Sequence, residues 1–161
     1  KPPQHISGDM GIDNVAELND NPKQRQEHPT QQYLLQTFIA PMSVEDRPAW
    51  FRILYCRGRV YSCWWHPSHH DYAEVTNDER ERFGLQQLDH IATTIAALTQ
   101  LDIFSTEVAL THEGLFLVID YVNDQPDFRR QSSAADGVPD AIVHDIAERL
   151  VGLAVADSND V

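Results

Sequence analysis

Segments with strong strand preference come in adjacent pairs along this chain. Residues 51–56 and 60–65 are rich in aromatic and β-branched side chains, and a short segment containing Gly58 separates them. Residues 103–110 and 115–122 repeat this arrangement further along. Two strand-like runs joined by a short turn predict a β-hairpin, whose two strands are antiparallel. The chain is therefore expected to build an antiparallel sheet.

Two other segments carry helical signals. Thr76, followed three residues later by Glu79, forms a capping box, and the apolar residues after it recur at helical spacing. These features predict one helix over 78–99. Pro139 is suited to be the first residue of a last helix that ends near Leu153. Hairpin strands interrupted by helices predict an α+β domain with an antiparallel sheet.

The charge and composition of the chain exclude some classes of function. The 161 residues include 25 Asp and Glu against 12 Lys and Arg, a formal net charge of −13, and suffice for one domain or two small subdomains. Nucleic-acid binding relies on clustered Lys and Arg, so no nucleic-acid partner is expected. No apolar run approaches the roughly 20 residues that span a bilayer, so no membrane partner is expected either. The two cysteines cannot form a framework of several disulfides, which favours a cytoplasmic location.

The second hairpin carries two carboxylates, Glu107 and Asp120, on the face opposite its expected core residues. A two-residue turn would pair them directly, and a four-residue turn would make them diagonal neighbours, within roughly 5 to 8 Å in either case. A three-residue loop would put them on opposite faces. The expected core residues of the two strands are Phe104, Thr106, Val108, Leu110, Leu115, Leu117, Ile119 and Tyr121.

Two facing carboxylates need a positive charge between them. Like charges directly opposite on a sheet are destabilising, and a divalent ion is the simplest charge that relieves this. Mg²⁺ typically takes one or two carboxylates and completes its shell with waters and substrate phosphates. Asn123, directly after the strand, adds a third candidate oxygen ligand. The alternative is that both carboxylates face solvent on an open side of the sheet.

Glu107, Asp120 and Asn123, in a hairpin that follows a long helix and precedes a Pro-containing loop, resemble the metal-binding segment of the ATP-grasp superfamily. Members of this family place an acidic residue on one strand and a Glu-x-Asn sequence on the next. Here the spacing is Asp-x-x-Asn, so Asp124 is an alternative to Asn123 as a ligand. The resemblance implies an ATP-grasp fold, with an antiparallel sheet, flanking helices and an incomplete first subdomain.

The resemblance extends upstream, in the order of the family's motifs. A Lys-Pro pair and then a Gly-containing loop resemble the family's phosphate-covering segment, where backbone N–H groups suit phosphate oxygens. Residues 36–39 resemble the connection that reads the adenine, and Glu45 or Asp46 could hold the ribose hydroxyls. The residues thus implied to bind ATP are Lys1, Ser7, Gly8, Gly11, Gln36, Phe38, Ile39 and Glu45.

The resemblance also implies catalytic roles for two arginines. Arg52 resembles a strand residue that helps to position phosphates, and with Lys1 it would stabilise charge as the γ-phosphoryl group moves. Arg129 would bind a carboxylate or phosphate of the acceptor with its planar guanidinium. The implied function is an ATP- and Mg²⁺-dependent ligase. It would activate a small-molecule carboxylate as an acyl phosphate for attack by an amine or similar nucleophile.

The same resemblance divides the chain. Residues 1–37 would be part of the N-terminal ATP-grasp subdomain, residues 38–156 the C-terminal subdomain, and residues 157–161 a frayed tail. The sequence begins at Lys1, without the domain that usually precedes this module and contributes to the acceptor site. An upstream domain of the same polypeptide is therefore an expected partner.

Two other functions remain open from the residues. The shortened side chain of Asp120 and the Asp-x-x-Asn spacing are also compatible with a nucleotide-binding domain that has no ligase activity. Alternatively, His66, His69 and His70, near Cys63, could form a transition-metal site, although their spacing is not a usual structural zinc pattern. Metal-dependent release of ADP in the presence of candidate acids would distinguish a ligase from the nucleotide-binding domain. A His-rich metal module would instead carry stoichiometric zinc that substitution of Glu107 leaves unchanged.

Overall fold

The structure, a computed structural model, describes residues 39–66 and 69–157. The chain divides into two units, Lys1–Ile39 and Ala40–Val161, and the elements described below belong to the second unit. In chain order these are β1 (Ser43–Val44), β2 (Arg47–Pro48), β3 (Trp50–Cys56), β4 (Arg59–Trp65), β5 (Tyr72–Glu74), α1 (Asn77–Phe83), α2 (Gln87–Thr99), β6 (Ile103–Leu110), β7 (Phe116–Asn123) and α3 (Asp140–Asp157).

Strands β3 to β7 form one antiparallel sheet in the order β5-β4-β3-β6-β7, and β1 pairs with β2 separately. The prediction of an α+β domain with an antiparallel sheet is confirmed. Both predicted hairpins are present, and Arg57 and Gly58 form the first turn with positive φ angles of 41° and 85°. That geometry matches the twist of the flanking strands. In the part of the chain that the structure describes, no helix is long and apolar enough to cross a membrane.

The single helix predicted over 78–99 is wrong, because α1 and α2 are separate helices. The predicted capping box is present, with Thr76 accepting from the Glu79 backbone and the Glu79 side chain accepting from the Thr76 backbone. Gly84 then ends α1 with a left-handed φ of 65°, a conformation that glycine adopts without the usual steric cost. The break turns the chain so that Leu85 and Leu88 are both fully buried.

The two faces of the sheet have different coverings. The first, here called the helix face, packs Phe51, Ile53 and Trp64 against Leu88 and Ala92 of α2. The second, here called the α3 face, is covered by α3 toward the Cys56 end of β3. There, residues of the sheet pack against α3 and the segment before it; the buried members of this cluster are Leu54, Cys56, Tyr61, Cys63, Val138, Ile142 and Ile146. The other end of the α3 face carries polar side chains.

The predicted core residues of β7 are wrong for Leu115 and Tyr121, which are 56% and 49% exposed. Phe116 packs against the core instead. The hairpin loop explains the difference, because the Thr111 N–H donates to the Leu115 carbonyl at 2.9 Å and closes a three-residue loop. An odd-numbered loop shifts the alternation of the second strand by one residue. Within the described residues, β7 is an edge strand of the sheet.

Substituting Gly84 tests the helix break. Gly84→Ala places a Cβ in a left-handed conformation and should lower the free energy of unfolding by about 1 kcal/mol, measured by urea titration. Gly152→Ala is the matched control, since Gly152 lies within α3 and a Cβ there meets no atom within 4 Å. The control should raise stability by about 0.5 to 1 kcal/mol. Stabilisation by both substitutions would mean that residues 77–99 form one continuous helix.

Candidate functional site

A β-bulge brings Glu107 and Asp120 together in spite of the three-residue loop. Val108 pairs with Val118, but Glu107 pairs with Asp120, so Ile119 is an extra residue on β7. A bulge of this kind adds one residue to one strand and restores the alternation that an odd loop disrupts. The two carboxylates therefore lie directly opposite each other on the α3 face. This is the arrangement predicted for a two-residue turn.

A second register shift places Asn123 on the same face. Ser105 pairs with Asn123, so two residues of β6 span the same length as three residues of β7. The Thr106 hydroxyl donates to the Asp120 carbonyl at 2.7 Å within this irregular stretch. Residues three apart on a regular strand point to opposite faces, but this shift lets Asp120 and Asn123 share one. The Asn123 Oδ1 accepts from the Gln125 N–H at 3.0 Å.

The positive charge between the two carboxylates comes from Arg52. Its strand pairs with β6 so that Arg52 lies opposite Glu107. The Nη1 group donates to Glu107 Oε1 and lies 3.9 Å from Asp120 Oδ2, while Nη2 donates to the Ser105 hydroxyl at 2.9 Å. These four residues are here called the Arg52 cluster. Because the chain supplies its own cation, the facing carboxylates do not by themselves require a metal ion.

The members of the Arg52 cluster differ in burial and in how fully their polar atoms are bonded. The side chains of Arg52 and Glu107 are 12% and 16% exposed, whereas that of Asp120 is 49% exposed. Both oxygens of Glu107 accept hydrogen bonds, since Trp50 Nε1 donates to Oε2 at 3.2 Å. The Nε of Arg52 is buried without a hydrogen-bond partner among the described residues. The guanidinium therefore has an unused donor and an exposed carboxylate beside it.

Aromatic rings border the cluster on the β4 side. The guanidinium carbon of Arg52 lies 5.6 Å from the centre of the Trp65 ring, and Tyr72 packs on that ring at 4.6 Å. The His70 ring stacks parallel to Trp65 at 5.2 Å. Burial raises the pKa of Tyr72 to about 12, so its hydroxyl remains neutral at neutral pH. The rings of Trp65 and Tyr72 thus form an uncharged border to the polar end of the α3 face.

The histidine segment does not form a complete metal site with Cys63. The His66 and His69 rings stack at 4.2 Å, while Cys63 lies in the buried α3-face cluster. Burial raises the pKa of Cys63 to about 12, which disfavours the thiolate that metals bind. Within residues 39–66 and 69–157, no three or more His, Cys, Asp or Glu side chains are grouped to hold a metal ion. The Arg52 cluster therefore offers two carboxylates, with the Asn123 amide on the same face of the sheet, rather than a complete cage.

The structure places two other predicted site residues in different ion pairs. Arg129 donates from Nε to Asp127 at 2.7 Å and from Nη2 to Asp136 at 2.8 Å. Its hydrogen bonds to Asp136 and then to Asp127 raise the pKa of Arg129, and an anionic substrate would compete with both partners. Glu45 lies in the β1–β2 turn and accepts from Arg82 of α1 at 2.5 Å. It is therefore held beside α1 rather than in the Arg52 cluster.

The remaining nucleotide-binding predictions fall elsewhere in the chain. Ile39 belongs to the first of the two units. Those that lie outside the described residues are Lys1, Ser7, Gly8, Gly11, Gln36 and Phe38.

Two residues of the site were not predicted from the sequence. Trp50 is not among the predicted site residues, and its indole N–H donates to Glu107. Ser105 was not singled out, and it accepts from Arg52. Strand alternation contains the signal for both, because Trp50 precedes Arg52 by two positions and Ser105 precedes Glu107 by two.

Comparison with known proteins does not assign a family. Scans against protein-family models, curated proteins and solved structures find no significant match to this chain. The resemblance to ATP-grasp enzymes therefore rests on the sequence motifs given above. The chemistry of the Arg52 cluster has to be inferred from its own geometry.

Paired substitutions test this geometry through stability alone. Glu107→Gln removes the charge from a nearly buried carboxylate bonded to Arg52 and Trp50, and should lower the free energy of unfolding by about 1 to 3 kcal/mol. Asp120→Asn removes an equal charge from a half-exposed carboxylate and should change it by less than about 1 kcal/mol. Urea titration of both variants measures the difference. Equal effects would contradict the unequal burial of the two carboxylates.

Proposed function

We propose that the Arg52 cluster is the phosphate and Mg²⁺ end of an ATP-binding site. In this proposal the chain is an ATP-grasp-like ligase domain that activates a carboxylate as an acyl phosphate. The observation that carries it is the bulged hairpin, which puts Glu107, Asp120 and Asn123 on one face of the sheet beside Arg52. Carboxylates beside a guanidinium suit a phosphate that carries a bound metal ion, because the carboxylates can bind the metal and the guanidinium can bind the phosphate.

The residues present fit a magnesium ion. All three candidate ligands offer oxygen atoms, and Mg²⁺ prefers one or two carboxylates with the rest of its shell from water and phosphate. The incomplete protein shell of the Arg52 cluster is consistent with that preference, because nucleotide oxygens would supply further ligands. When bound there, the ion would neutralise phosphate charge and polarise the phosphoryl group.

Arg52 would bind phosphate oxygens. A guanidinium presents five N–H donors in a planar fork, which suits phosphate better than a point charge does. The buried Nε without a partner among the described residues is a donor that a phosphate oxygen can satisfy. Because phosphoryl transfer depends on positioning and on stabilisation of charge, a guanidinium bound to the phosphate would stabilise the moving γ-phosphoryl group.

The other residues of the site would orient and shield it. Trp50 holds one oxygen of Glu107, which restricts the rotation of that carboxylate. The rings of Trp65 and Tyr72 exclude water from one side of the guanidinium, and this strengthens its electrostatic interactions. The acyl phosphate formed in this way would be attacked by the amine acceptor, so no side-chain nucleophile is needed.

Arg129 could contribute to acceptor binding only after a rearrangement. Both of its bonded carboxylates, Asp127 and Asp136, lie in the loop between β7 and α3. A carboxylate or phosphate of the substrate would have to displace at least one of them. We therefore propose Arg129 as an acceptor-side residue whose role depends on movement of its loop partners. Nucleotide contacts from Lys1 and the Gly8 loop are proposed from the sequence alone.

Calorimetric titration with ADP, with and without Mg²⁺, tests the nucleotide site. The wild-type chain should bind ADP with an affinity that Mg²⁺ increases, and Glu107→Gln should reduce this increase about tenfold or more. Glu113→Gln is the matched control, because Glu113 lies in the exposed loop of the same hairpin and should leave binding unchanged. Binding that neither needs the metal nor responds to Glu107→Gln would remove the Arg52 cluster from the site.

Turnover distinguishes the ligase from the nucleotide-binding alternative. If Mg²⁺-dependent ADP binding is found, ATP is supplied with candidate carboxylates and amines, and release of ADP is measured. Release that depends on the carboxylate supports a ligase. Tight binding without release for any acid would favour a nucleotide-binding domain, in which the Arg52 to Glu107 ion pair keeps the metal side neutralised.

A further inference from the structure

Arg52 and a metal ion would compete for the same oxygen atoms. Glu107 Oε1 accepts from Arg52 and Oε2 accepts from Trp50, so neither oxygen is free. Asp120 lies 3.9 Å from the same guanidinium nitrogen. A cation entering between the two carboxylates would therefore have to displace Arg52 or be repelled by its charge.

Charge balance indicates when such a displacement is favourable. The two carboxylates and Arg52 together carry a formal charge of −1. An Mg²⁺ ion that binds alone would have to approach this site while the positive guanidinium still occupies it. Moving a desolvated guanidinium from Glu107 without a new anionic partner is costly, because it leaves a buried charge unpaired. A nucleotide phosphate supplies that partner beside the site. Metal entry and phosphate binding then each become more favourable in the presence of the other.

We propose that Arg52 is an internal counter-ion that excludes divalent metal from Glu107 and Asp120 until a nucleotide phosphate draws its guanidinium away. Metal and nucleotide thereby bind as a coupled pair. This inference rests on the proposed function. It assigns to Arg52 the control of metal entry, in addition to its contact with phosphate.

Three features of the cluster favour such an exchange. The Nε of Arg52 lacks a hydrogen-bond partner among the described residues, so the guanidinium gains an interaction when phosphate arrives. Trp50 still holds Glu107 after Arg52 leaves, which keeps the carboxylate in place for the metal. Asp120 is half exposed and only distantly paired with Arg52, so it is the carboxylate that a hydrated ion can reach first.

Mn²⁺ binding to the full chain tests the proposal without measuring activity. Free Mn²⁺ is quantified by electron paramagnetic resonance, with and without ADP, and corrected for the Mn²⁺ that ADP holds in protein-free solution. In the absence of ADP, Arg52→Gln should bind Mn²⁺ about tenfold more tightly than wild type, and Arg52→Lys, which keeps the charge, should resemble wild type. In wild type, ADP should raise Mn²⁺ affinity about tenfold, and in Arg52→Gln by much less.

Arg59→Ala is the matched control for loss of a positive charge. Arg59 lies on β4, on the same face of the sheet, four residues before the Cys63 that pairs with Arg52. Four residues of strand put it about 13 Å away, so its removal should leave Mn²⁺ affinity near the wild-type value. An equal gain in this variant would mean that any loss of positive charge strengthens metal binding, and would overturn the specific role of Arg52.

Three further outcomes separate this inference from the proposed function. Mn²⁺ affinity in wild type that is the same with and without bound ADP overturns the inference, even if Arg52→Gln does not fold. Nucleotide binding with no gain of Mn²⁺ affinity in a folded Arg52→Gln variant also overturns it, while leaving the proposed function standing. Absence of ADP binding overturns the proposed function. In that case the Mn²⁺ affinities of wild type and Arg52→Gln, compared without ADP, still test whether Arg52 excludes metal.

Discussion

The contact between Arg52 and Glu107 is the interaction on which the polar end of the sheet depends. It joins β3, the central strand, to β6 across a register that puts the two residues directly opposite each other. Both side chains are nearly buried, so neither charge is stable there without the other. Ser105 and Trp50 then bond to the pair. One ion pair thus organises the candidate site, and in our proposal metal binding there requires the movement of a single side chain.

The scaffold around this pair keeps it partly dry and open at one edge. Beyond it, toward the Cys56 end of β3, the same face is closed by α3 through Ile142 and Ile146. On the β4 side Trp65 lies beside the guanidinium. Among the described residues, the exposed side of the cluster is that of the edge strand β7, where Asp120 is half exposed. A ligand would therefore approach over β7 and meet a carboxylate before it meets the arginine.

Local signals in the sequence predicted most of the fold, whereas the arrangement of the site residues depends on how distant strands pair. The hairpins followed from strand preference and short turns, but the helix predicted over 78–99 runs through Gly84, which ends α1 in the structure. Loop length alone left the alignment of Glu107 and Asp120 open, because the bulge at Ile119 forms only when β7 pairs with β6. The role of Arg52 as their counter-ion depends on the pairing of β3 with β6, which are more than forty residues apart in sequence, and no local pattern encodes it.

The NMR signal of the Arg52 Nε–H group tests most directly whether this guanidinium moves to the phosphate. Its signal can be identified in a two-dimensional nitrogen–proton NMR spectrum as the arginine side-chain resonance that disappears in Arg52→Lys. If the guanidinium leaves Glu107 for phosphate, this resonance should shift when the chain is saturated with ADP and Mg²⁺, because a donor without a partner gains an acceptor. The Arg59 resonance should stay in place. An Arg52 signal that does not move at saturating nucleotide would contradict the central role given to this side chain.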